Sequence, residues 1–168
     1  MYQTLMGSIM KEILEILEND ARISTTEIAT LTKIPEKQVR EIIKEAEKKG
    51  IIRKYKTVID WDKADEEHVY AVIEVKVISE REVGYDSIAE RIARFPEVVS
   101  VRLISGDHDL SLLVKGKTMK EVAFFIAEKV APLDQVQSTV THFILKTYKQ
   151  DGDILLEKEE SKRLAITP

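Results

Sequence analysis

The chain has 168 residues, 43% hydrophobic and 33% charged, which is enough for one domain or two small ones. It has no cysteine, which excludes disulfides and thiolate metal sites, and its apolar runs are too short to span a membrane. No signal peptide stands out, so a cytoplasmic protein without a membrane partner is predicted. The net charge of −4 is uneven: residues 1–61 carry +1 and residues 62–168 carry −5. Any nucleic-acid contact therefore needs a local basic patch.

The first residues have the periodicity of helices. Apolar residues between Met6 and Leu17 recur at the spacing of one helix face. Ser24 and Glu27 have the spacing of a capping box, in which each side chain accepts from the other's backbone N–H. This box predicts the start of a short second helix. Its inward side chains are predicted to be Ile28, Ala29 and Leu31.

A third helix and a ribbon are predicted next. Pro35 fits the first turn of that helix, and Gly50 is predicted to end it in a left-handed conformation. Residues 51–59 are β-rich and predict a two-stranded ribbon, and the polar residues 61–68 predict a linker. This is the layout of a winged helix-turn-helix, whose third helix enters the major groove of double-stranded DNA, so a DNA-binding domain is predicted for residues 1–60. The buried stripe of the third helix is predicted to be Val39, Ile42, Ile43 and Ala46.

The candidate DNA contacts are polar and basic side chains of the third helix and its surroundings. Lys37, Gln38 and Arg40 are near the start of the helix, where base edges are read, since arginine can bind guanine and glutamine can bind adenine through paired hydrogen bonds. The residues predicted to contact phosphates are Lys33, Lys44, Arg53, Lys54 and Lys56. Plain solvated surface is the alternative for each of them, and four glutamates in the same helix oppose DNA affinity.

The second half alternates strand and helix periods in the order βαββαβ, which predicts an α+β, ferredoxin-like domain over residues 69–150. The predicted strands are residues 69–77, 98–104, 110–114 and 136–148, and the predicted helix stripes are Tyr85, Ile88, Ala89 and Ile92, then Met119, Val122, Ala123, Ile126 and Val130. A hairpin turn is predicted at residues 105–109. Asp151 to Pro168 is mostly charged and predicts a polar, mobile tail.

One face of this sheet is predicted to need a partner. Helices in this arrangement cover a single face, yet the other face is also assigned apolar residues. These are Tyr70, Val72, Ile78, Ile104 and Leu113. A second copy of the same sheet is the simplest cover, which predicts a two-fold homodimer.

Several stretches resemble the Lrp/AsnC family of feast/famine regulators. They are residues 13–24 and 49–55, the run Phe95-Pro96-Glu97-Val98, the Gly-x-x-Asp turn within residues 105–110, and Thr139-Val140-Thr141. The resemblance covers Ile9 to Tyr148 in order. It implies a transcription regulator whose basic unit is a dimer, often assembled to octamers. It also implies that an amino acid or related small molecule binds between effector domains.

By the same resemblance, Gly106, Asp107, His108 and Asp109 form the effector loop, while Thr139 and Thr141 supply hydroxyls from a strand nearby. This fits amino-acid chemistry, because an α-amino group needs a carboxylate or carbonyl and a carboxylate needs N–H groups or hydroxyls. A tight hairpin alone is the alternative for the glycine and the final aspartate, and the histidine is favoured as a plain turn residue. No cofactor is predicted. Pro35 departs from the family, since many members carry a Ser or Thr cap there.

Two other functions stay open on the sequence. One is a tetrapyrrole enzyme like the sirohaem decarboxylases, which resemble this family. The histidines, however, are scattered at His68, His108 and His142, and no catalytic set or metal-ligand spacing stands out, so no enzyme is predicted. The other is a metabolite-binding module without DNA affinity, which the weakly basic third helix motivates.

Overall fold

The chain is described from a computed structural model, which covers residues 2–64, 68–78 and 84–156. It divides into two compact units, the first ending at Ile59 and the second beginning at Asp60. The stretch predicted as a linker is partly structured, because Asp62–Ala64 form one turn of 3₁₀ helix. Residues 65–67 of that stretch lie outside the described part of the chain.

The first unit consists of three helices, α1 (Tyr2–Asn19), α2 (Thr25–Thr32) and α3 (Glu36–Lys48). One apolar cluster joins them, because each helix buries the face that its period predicts. The buried members of that cluster are Ile13, Ile28, Val39 and Ile42, with partly buried side chains from all three helices around them.

Helices α2 and α3 have the ends that the sequence predicts. The Ser24 hydroxyl accepts from the N–H of Glu27 at 3.2 Å, and the N–H of Ser24 donates to the Glu27 carboxylate at 2.9 Å. The Ser24 hydroxyl also donates to this carboxylate at 2.6 Å, and that hydrogen bond, followed by the one from the Ser24 N–H, lowers the pKa of Glu27. At the end of α3, Gly50 has φ +67°. The N–H groups of Gly50 and Ile51 donate to the carbonyls of Glu47 and Ala46 at 3.0 and 2.9 Å, which is a Schellman motif. The capping box and the glycine cap are confirmed.

Three predictions for the first unit are wrong in detail. Leu31 is 59% exposed, because the buried face of this two-turn helix runs through Ile28 and the half-buried Thr32, four residues apart. Pro35 is the N-cap residue before α3 and not part of its first turn. Residues 51–60, all of them described, form no strand. They lack an internal Gly, Pro, Asn or Asp, the residues that favour a tight reversal of the chain, so the run has no local signal for the turn of a ribbon.

The second unit confirms the predicted ferredoxin-like order. Its sheet has the strand order β2-β3-β1-β4, with all neighbours antiparallel. The elements in chain order are β1 (Val69–Val77), α4 (Asp86–Ala93), β2 (Val98–Leu103), β3 (Leu110–Gly116), α5 (Met119–Phe125) and β4 (Val136–Ile144). Alternate residues of β1, from Ala71 to Val77, are buried under the helices. Ile88 and Ile92 of α4 complete this core, as their stripe predicts.

The stripe of the second helix in this unit differs from the prediction. Met119 is 51% exposed and Ala123 is also exposed, whereas Phe125 is buried. The cause is a wide turn, since α5 continues as a π-helix over Ile126–Val130 and the N–H of Ala131 donates to the Ile126 carbonyl at 2.8 Å. A π-turn shifts the inward face, so a constant 3.6-residue period places the wrong side chains in the core.

The end of the chain is also more ordered than predicted. The last strand ends at Ile144 and not at Tyr148, and β5 (Lys149–Gln150) then pairs with β6 (Asp153–Ile154). The turn between them is Asp151-Gly152, with φ +47° and +96°. Asp-Gly is a strong hairpin signal, because both central residues of such a turn need positive φ. Residues 157–168 of the predicted tail lie outside the described part of the chain.

The sheet face opposite the helices is mixed in character. Of its predicted apolar residues, Ile78 is exposed and the other four are half-buried. Between them lie polar side chains, including Glu74, Lys76 and His142. The dimerising role of this face stays a prediction.

Substituting Gly50 tests the glycine cap. We expect Gly50→Ala to lower the free energy of unfolding of the first unit by roughly 1–2 kcal/mol, because an alanine at φ +67° is strained. Gly7→Ala in α1 is the matched control. There the glycine is helical, and an added Cβ meets nothing within 4 Å, so the same change should stabilise by roughly 1 kcal/mol. Urea unfolding followed by circular dichroism measures both, and equal effects of the two variants would contradict the left-handed cap.

Candidate DNA-binding surface and effector loop

Helices α2 and α3 with the turn between them form the candidate DNA-binding surface. The turn begins at Lys33, which has φ +57° and ends α2 in a left-handed conformation. Lys33 is exposed, as are Arg53, Lys54 and Lys56 in the extended segment that follows α3. The four predicted phosphate contacts outside α3 therefore all lie on the surface of the first unit.

The outward face of α3 is basic. Burial of Val39, Ile42 and Ala46 turns the opposite side of the helix to solvent. Lys37 and Lys44, both predicted contacts, are seven residues apart and share that side. The sequence analysis missed Lys48, which lies four residues further along the same side and is also exposed. The helix period alone was sufficient to find it.

The acids of α3 lie beside the lysines, and three of the four contact a neighbouring side chain. The helix has four basic and four acidic side chains, so its charges cancel. Glu45 pairs with Lys49 at 2.6 Å, and Glu47 accepts from the hydroxyl of Tyr55 at 3.0 Å. Burial, and then the hydrogen bond and charge of Glu47, raise the pKa of Tyr55. Glu41 is exposed on the lysine side itself, where its charge opposes phosphate contact.

Arg40, a predicted base reader, is hydrogen-bonded to another side chain of α3. Its Nε lies 3.1 Å from Oε1 of Glu36, and its Nη2 bonds the same oxygen. The hydroxyl of Thr25, at the start of α2, donates to that oxygen at 2.8 Å. The Arg40 hydrogen bond, and then the Thr25 hydrogen bond, lower the pKa of Glu36. Sequence reasoning missed this triad, because it joins residues eleven positions apart on two helices.

Gln38, the other predicted base reader, is half-buried. It lines an open groove of about 390 Å³ along one flank of α3. The groove is lined by Pro35, Lys37, Gln38, Glu41, Ile42 and Glu45. Gln38 therefore lies beside the lysine face of α3 and not at the centre of that face.

The predicted effector loop is the hairpin turn between β2 and β3. Gly106 has φ +150°, a conformation that favours glycine, and Asp107 beside it is exposed. The N–H of Ile104 donates to the carbonyl of Asp109 at 2.9 Å and closes the turn. The loop therefore has the tight-hairpin geometry that was the alternative interpretation of its glycine.

The Asp109 carboxylate is occupied by the protein itself. Its Oδ2 accepts from the N–H of Val77 at 2.8 Å and lies 3.6 Å from Lys76 Nζ, and its Oδ1 accepts from the Tyr85 hydroxyl at 3.3 Å. The pKa of Asp109 is lowered, chiefly by the Val77 N–H, with Lys76 adding to the effect and burial opposing it. Only 16% of the side chain is exposed. Asp109 thus links the hairpin to the end of β1 through hydrogen bonds.

The strand register separates the predicted effector residues between the two faces of the sheet. Thr139 and Thr141 pair with Val75 and Ile73, so they are on the helix-covered side, where both are half-buried. His108 instead reaches the other face, where its Nδ1 lies 3.4 Å from Oε2 of Glu74. The loop and the threonines share one end of the sheet. Because β1 lies between their strands, however, they are about 10 Å apart.

Two histidines predicted to be scattered share one carboxylate. His142 Nε2 lies 3.5 Å from the same Glu74 oxygen that His108 approaches. The third histidine, His68, packs edge-on against Trp61. Among the described residues, no group of three or more His, Cys, Asp or Glu side chains is placed to hold a metal ion. None of the described helices is both long and apolar enough to cross a membrane.

The helical unit and the ferredoxin-like unit together define a two-domain DNA-binding regulator, and comparison with known proteins gives its family. Residues 7–53 match the profile described as winged helix-turn-helix DNA-binding, and residues 70–154 match that described as Lrp/AsnC ligand binding domain. The chain is 47% identical over 158 residues to the uncharacterized HTH-type transcriptional regulator YugG of Bacillus subtilis (strain 168), covering 94% of this chain and 95% of that protein. The chain belongs to the Lrp/AsnC family of HTH-type transcriptional regulators.

Solved structures show the same fold at low identity. The chain matches "Crystal structure of PH0061" with a TM-score of 0.72 and 22% identity, over 84% of this chain and 94% of that one. It matches Escherichia coli AsnC with a TM-score of 0.65 and 19% identity, over 85% and 94%. It matches the regulator NMB0573 in complex with L-Met from Neisseria meningitidis with a TM-score of 0.67 and 21% identity, over 84% and 91%.

Family membership establishes the class of function predicted from the sequence. The chain is a DNA-binding transcriptional regulator with a ligand-binding effector domain, and not an enzyme. The prediction of a DNA-binding regulator is confirmed.

Because the Asp109 carboxylate links the hairpin to β1, we expect the stability of the second unit to depend on pH. Because its folded pKa is below the ordinary value of 3.8, its contribution is complete above that value and is lost as pH falls through the folded pKa. We expect Asp109→Asn to lower the free energy of unfolding of the second unit by about 1.5 kcal/mol at pH 7, and by less below pH 4.

Urea unfolding followed by the fluorescence of Trp61, the only tryptophan in the sequence, measures this effect within the second unit. Asp107→Asn is the matched control in the same loop and should change stability by less than about 0.5 kcal/mol, because its side chain is exposed. A loss that is the same at pH 7 and pH 3 would show that the charge of Asp109 is not what holds the hairpin.

Proposed function

We propose that this regulator reads a specific double-stranded DNA site with the N-terminal half of α3. The observation that carries this proposal is the outward face of that helix, where Lys37 and Lys44 flank an oriented Arg40. In this assignment Lys37, Gln38 and Arg40 contact base edges, since arginine can bind guanine and glutamine adenine bidentately. Lys44, together with Lys33, Arg53, Lys54 and Lys56, contacts phosphates and fixes the register on the duplex.

In this proposal one unit binds DNA and the other binds the effector. Residues 1–60 are the proposed DNA-binding domain, 61–68 the connection and 69–150 the effector domain. The boundary between compact units at Ile59 and Asp60 supports the division. Two copies joined through the helix-free face of the sheet would present two recognition helices, as a palindromic site needs. The half-buried apolar side chains of that face support a dimer as the basic unit, from which larger assemblies such as an octamer could grow.

The proposed effector is an amino acid. The Neisseria meningitidis regulator NMB0573, which has the same fold, forms a complex with L-Met, and the chemistry of the predicted loop is compatible with such a ligand. Gly106, Asp107 and His108 offer backbone groups at the turn, and Thr139 and Thr141 offer hydroxyls. Asp109 is already hydrogen-bonded to Val77, so we assign it the role of holding the loop in shape. Because the loop and the threonines are about 10 Å apart across β1, a small ligand would bridge them only with help from a neighbouring subunit.

A titration of fluorescent duplexes tests DNA reading. Promoter DNA of the protein's own gene is the first probe, at two salt concentrations, with and without a panel of amino acids. We expect Arg40→Ala to weaken binding to the target site by roughly 1–3 kcal/mol, the scale of one bidentate base contact. Lys44→Ala should instead weaken every duplex alike and reduce the salt slope by about 1, as expected for a phosphate contact. Unchanged affinity of the Arg40 variant for the target would remove Arg40 from the reading set.

Ligand-induced stabilisation tests the effector site. Because a ligand that binds only the folded protein stabilises it, an amino acid at 100 times its Kd should add about 2.7 kcal/mol to the unfolding free energy. Thr141→Val removes a hydroxyl with little change of shape, and it should abolish most of this gain. Ser138→Ala is the matched control on the same strand, because Ser138 pairs with Lys76 and points to the other face. Full stabilisation of the Thr141 variant would contradict the assignment.

A further inference from the structure

One carboxylate oxygen ties together the two helices of the DNA-binding unit. Oε1 of Glu36 accepts from the Thr25 hydroxyl at 2.8 Å, from Arg40 Nε at 3.1 Å and from Arg40 Nη2. Thr25 is the first residue of α2, and Glu36 is the first residue of α3. The Arg40 guanidinium is therefore hydrogen-bonded to a carboxylate that is itself held by a hydrogen bond from α2.

The brace from Thr25 distinguishes this pair from an ordinary surface ion pair. A Glu and an Arg four residues apart on one exposed helix face usually contribute little and exchange rotamers freely. Here the Glu36 side chain is 32% exposed and that of Arg40 is 67% exposed. The anchor is thus on the packed side of the pair, and the guanidinium extends from it toward solvent.

The atoms used by this contact determine which edge of Arg40 is left for a ligand. A guanidinium has five N–H groups in a rigid planar fork. Nε and one hydrogen of Nη2 are directed to Glu36, so the end formed by Nη1 and the second hydrogen of Nη2 faces away from it. That end is a bidentate donor, and O6 and N7 of guanine are the matching pair of acceptors in the major groove.

We propose that Glu36, braced by Thr25, is a positioning residue that fixes the guanidinium of Arg40 for reading a guanine. The inference rests on the proposed base contact of Arg40 and adds a specificity determinant that does not touch DNA. Removing the Glu36 carboxylate has two opposite effects. Loss of its charge strengthens binding to any duplex, and loss of its anchor weakens discrimination at one base pair.

A charge-matched pair of variants separates these effects. Glu36→Ala and Glu41→Ala each remove one negative charge from the exposed part of α3, but only the first removes the oxygen that anchors Arg40. The full-length wild-type protein is first used to select duplexes from a randomised library. The dissociation constants of every variant are then measured for the selected duplex and for the same duplex with the G·C pair assigned to Arg40 replaced by A·T.

The quantity compared is the ratio of these two dissociation constants. Glu36→Ala should reduce the wild-type ratio about tenfold, whereas Glu41→Ala should leave it unchanged, although both bind random DNA more tightly. Thr25→Val should reduce the ratio by about threefold, and Thr25→Ser, which keeps a hydroxyl, should restore it. Arg40→Lys should keep the salt slope but lose the discrimination, because an ammonium has no planar fork. Circular dichroism verifies that each variant is folded.

Each alternative outcome has a separate meaning. If both Glu→Ala variants change the ratio equally, Glu36 acts through its charge alone and the positioning role is wrong. If Arg40→Ala abolishes the discrimination while Glu36→Ala preserves it, the base contact stands and the positioning role is again wrong. If Arg40→Ala leaves the ratio unchanged at every selected base pair, the base contact itself is wrong and the positioning role is lost with it.

Discussion

Strand β1 must bury every second side chain, because helices cover only one face of the sheet in which it is a central strand. Ile73 and Val75 are fully buried, and this burial assigns a face to each residue paired with them. Thr139 therefore lies on the helix-covered face, whereas His108 contacts Glu74 on the opposite face. A register slip of one residue would exchange the two faces, so the effector loop and its neighbours depend on the burial of this strand.

Helix α3 follows the same logic with a period of 3.6 residues. Burial of Val39 and Ala46 turns Lys37 and Lys44 outward, and the sequence alone was sufficient to predict this. Periodicity says nothing, however, about the partner that each charged side chain takes. The partner depends on the neighbouring element, which here supplies Thr25 to the Glu36 carboxylate. The basic face of the candidate site was therefore predictable, and its hydrogen-bonded triad was not.

The fold was predictable wherever a long regular period governed it, and the errors lie where a local feature replaced that period. A π-turn after α5 brought Phe125 inward and left Met119 exposed. The run 51–60 had β propensity but no turn residue, and propensity without a partner strand does not make a ladder. At Asp151-Gly152 the local signal was present in the sequence, and the charged composition of the tail concealed it. The loop at Asp109 shows a further limit, because a motif does not reveal whether its carboxylate serves a ligand or the fold.

The acidic residues of α3 can be understood from the difference between affinity and specificity. Phosphate contacts strengthen binding to every duplex alike, so they do not help a regulator to distinguish its site from the rest of the genome. A carboxylate beside the DNA weakens this shared contribution. If the same carboxylate also orients a base-reading guanidinium, it preserves the contribution that differs between sites. Basic residues outside the helix, such as Lys33, Arg53 and Lys54, can then supply the attraction that α3 lacks. On this argument the neutral charge of α3 is compatible with DNA recognition and favours discrimination over tight binding.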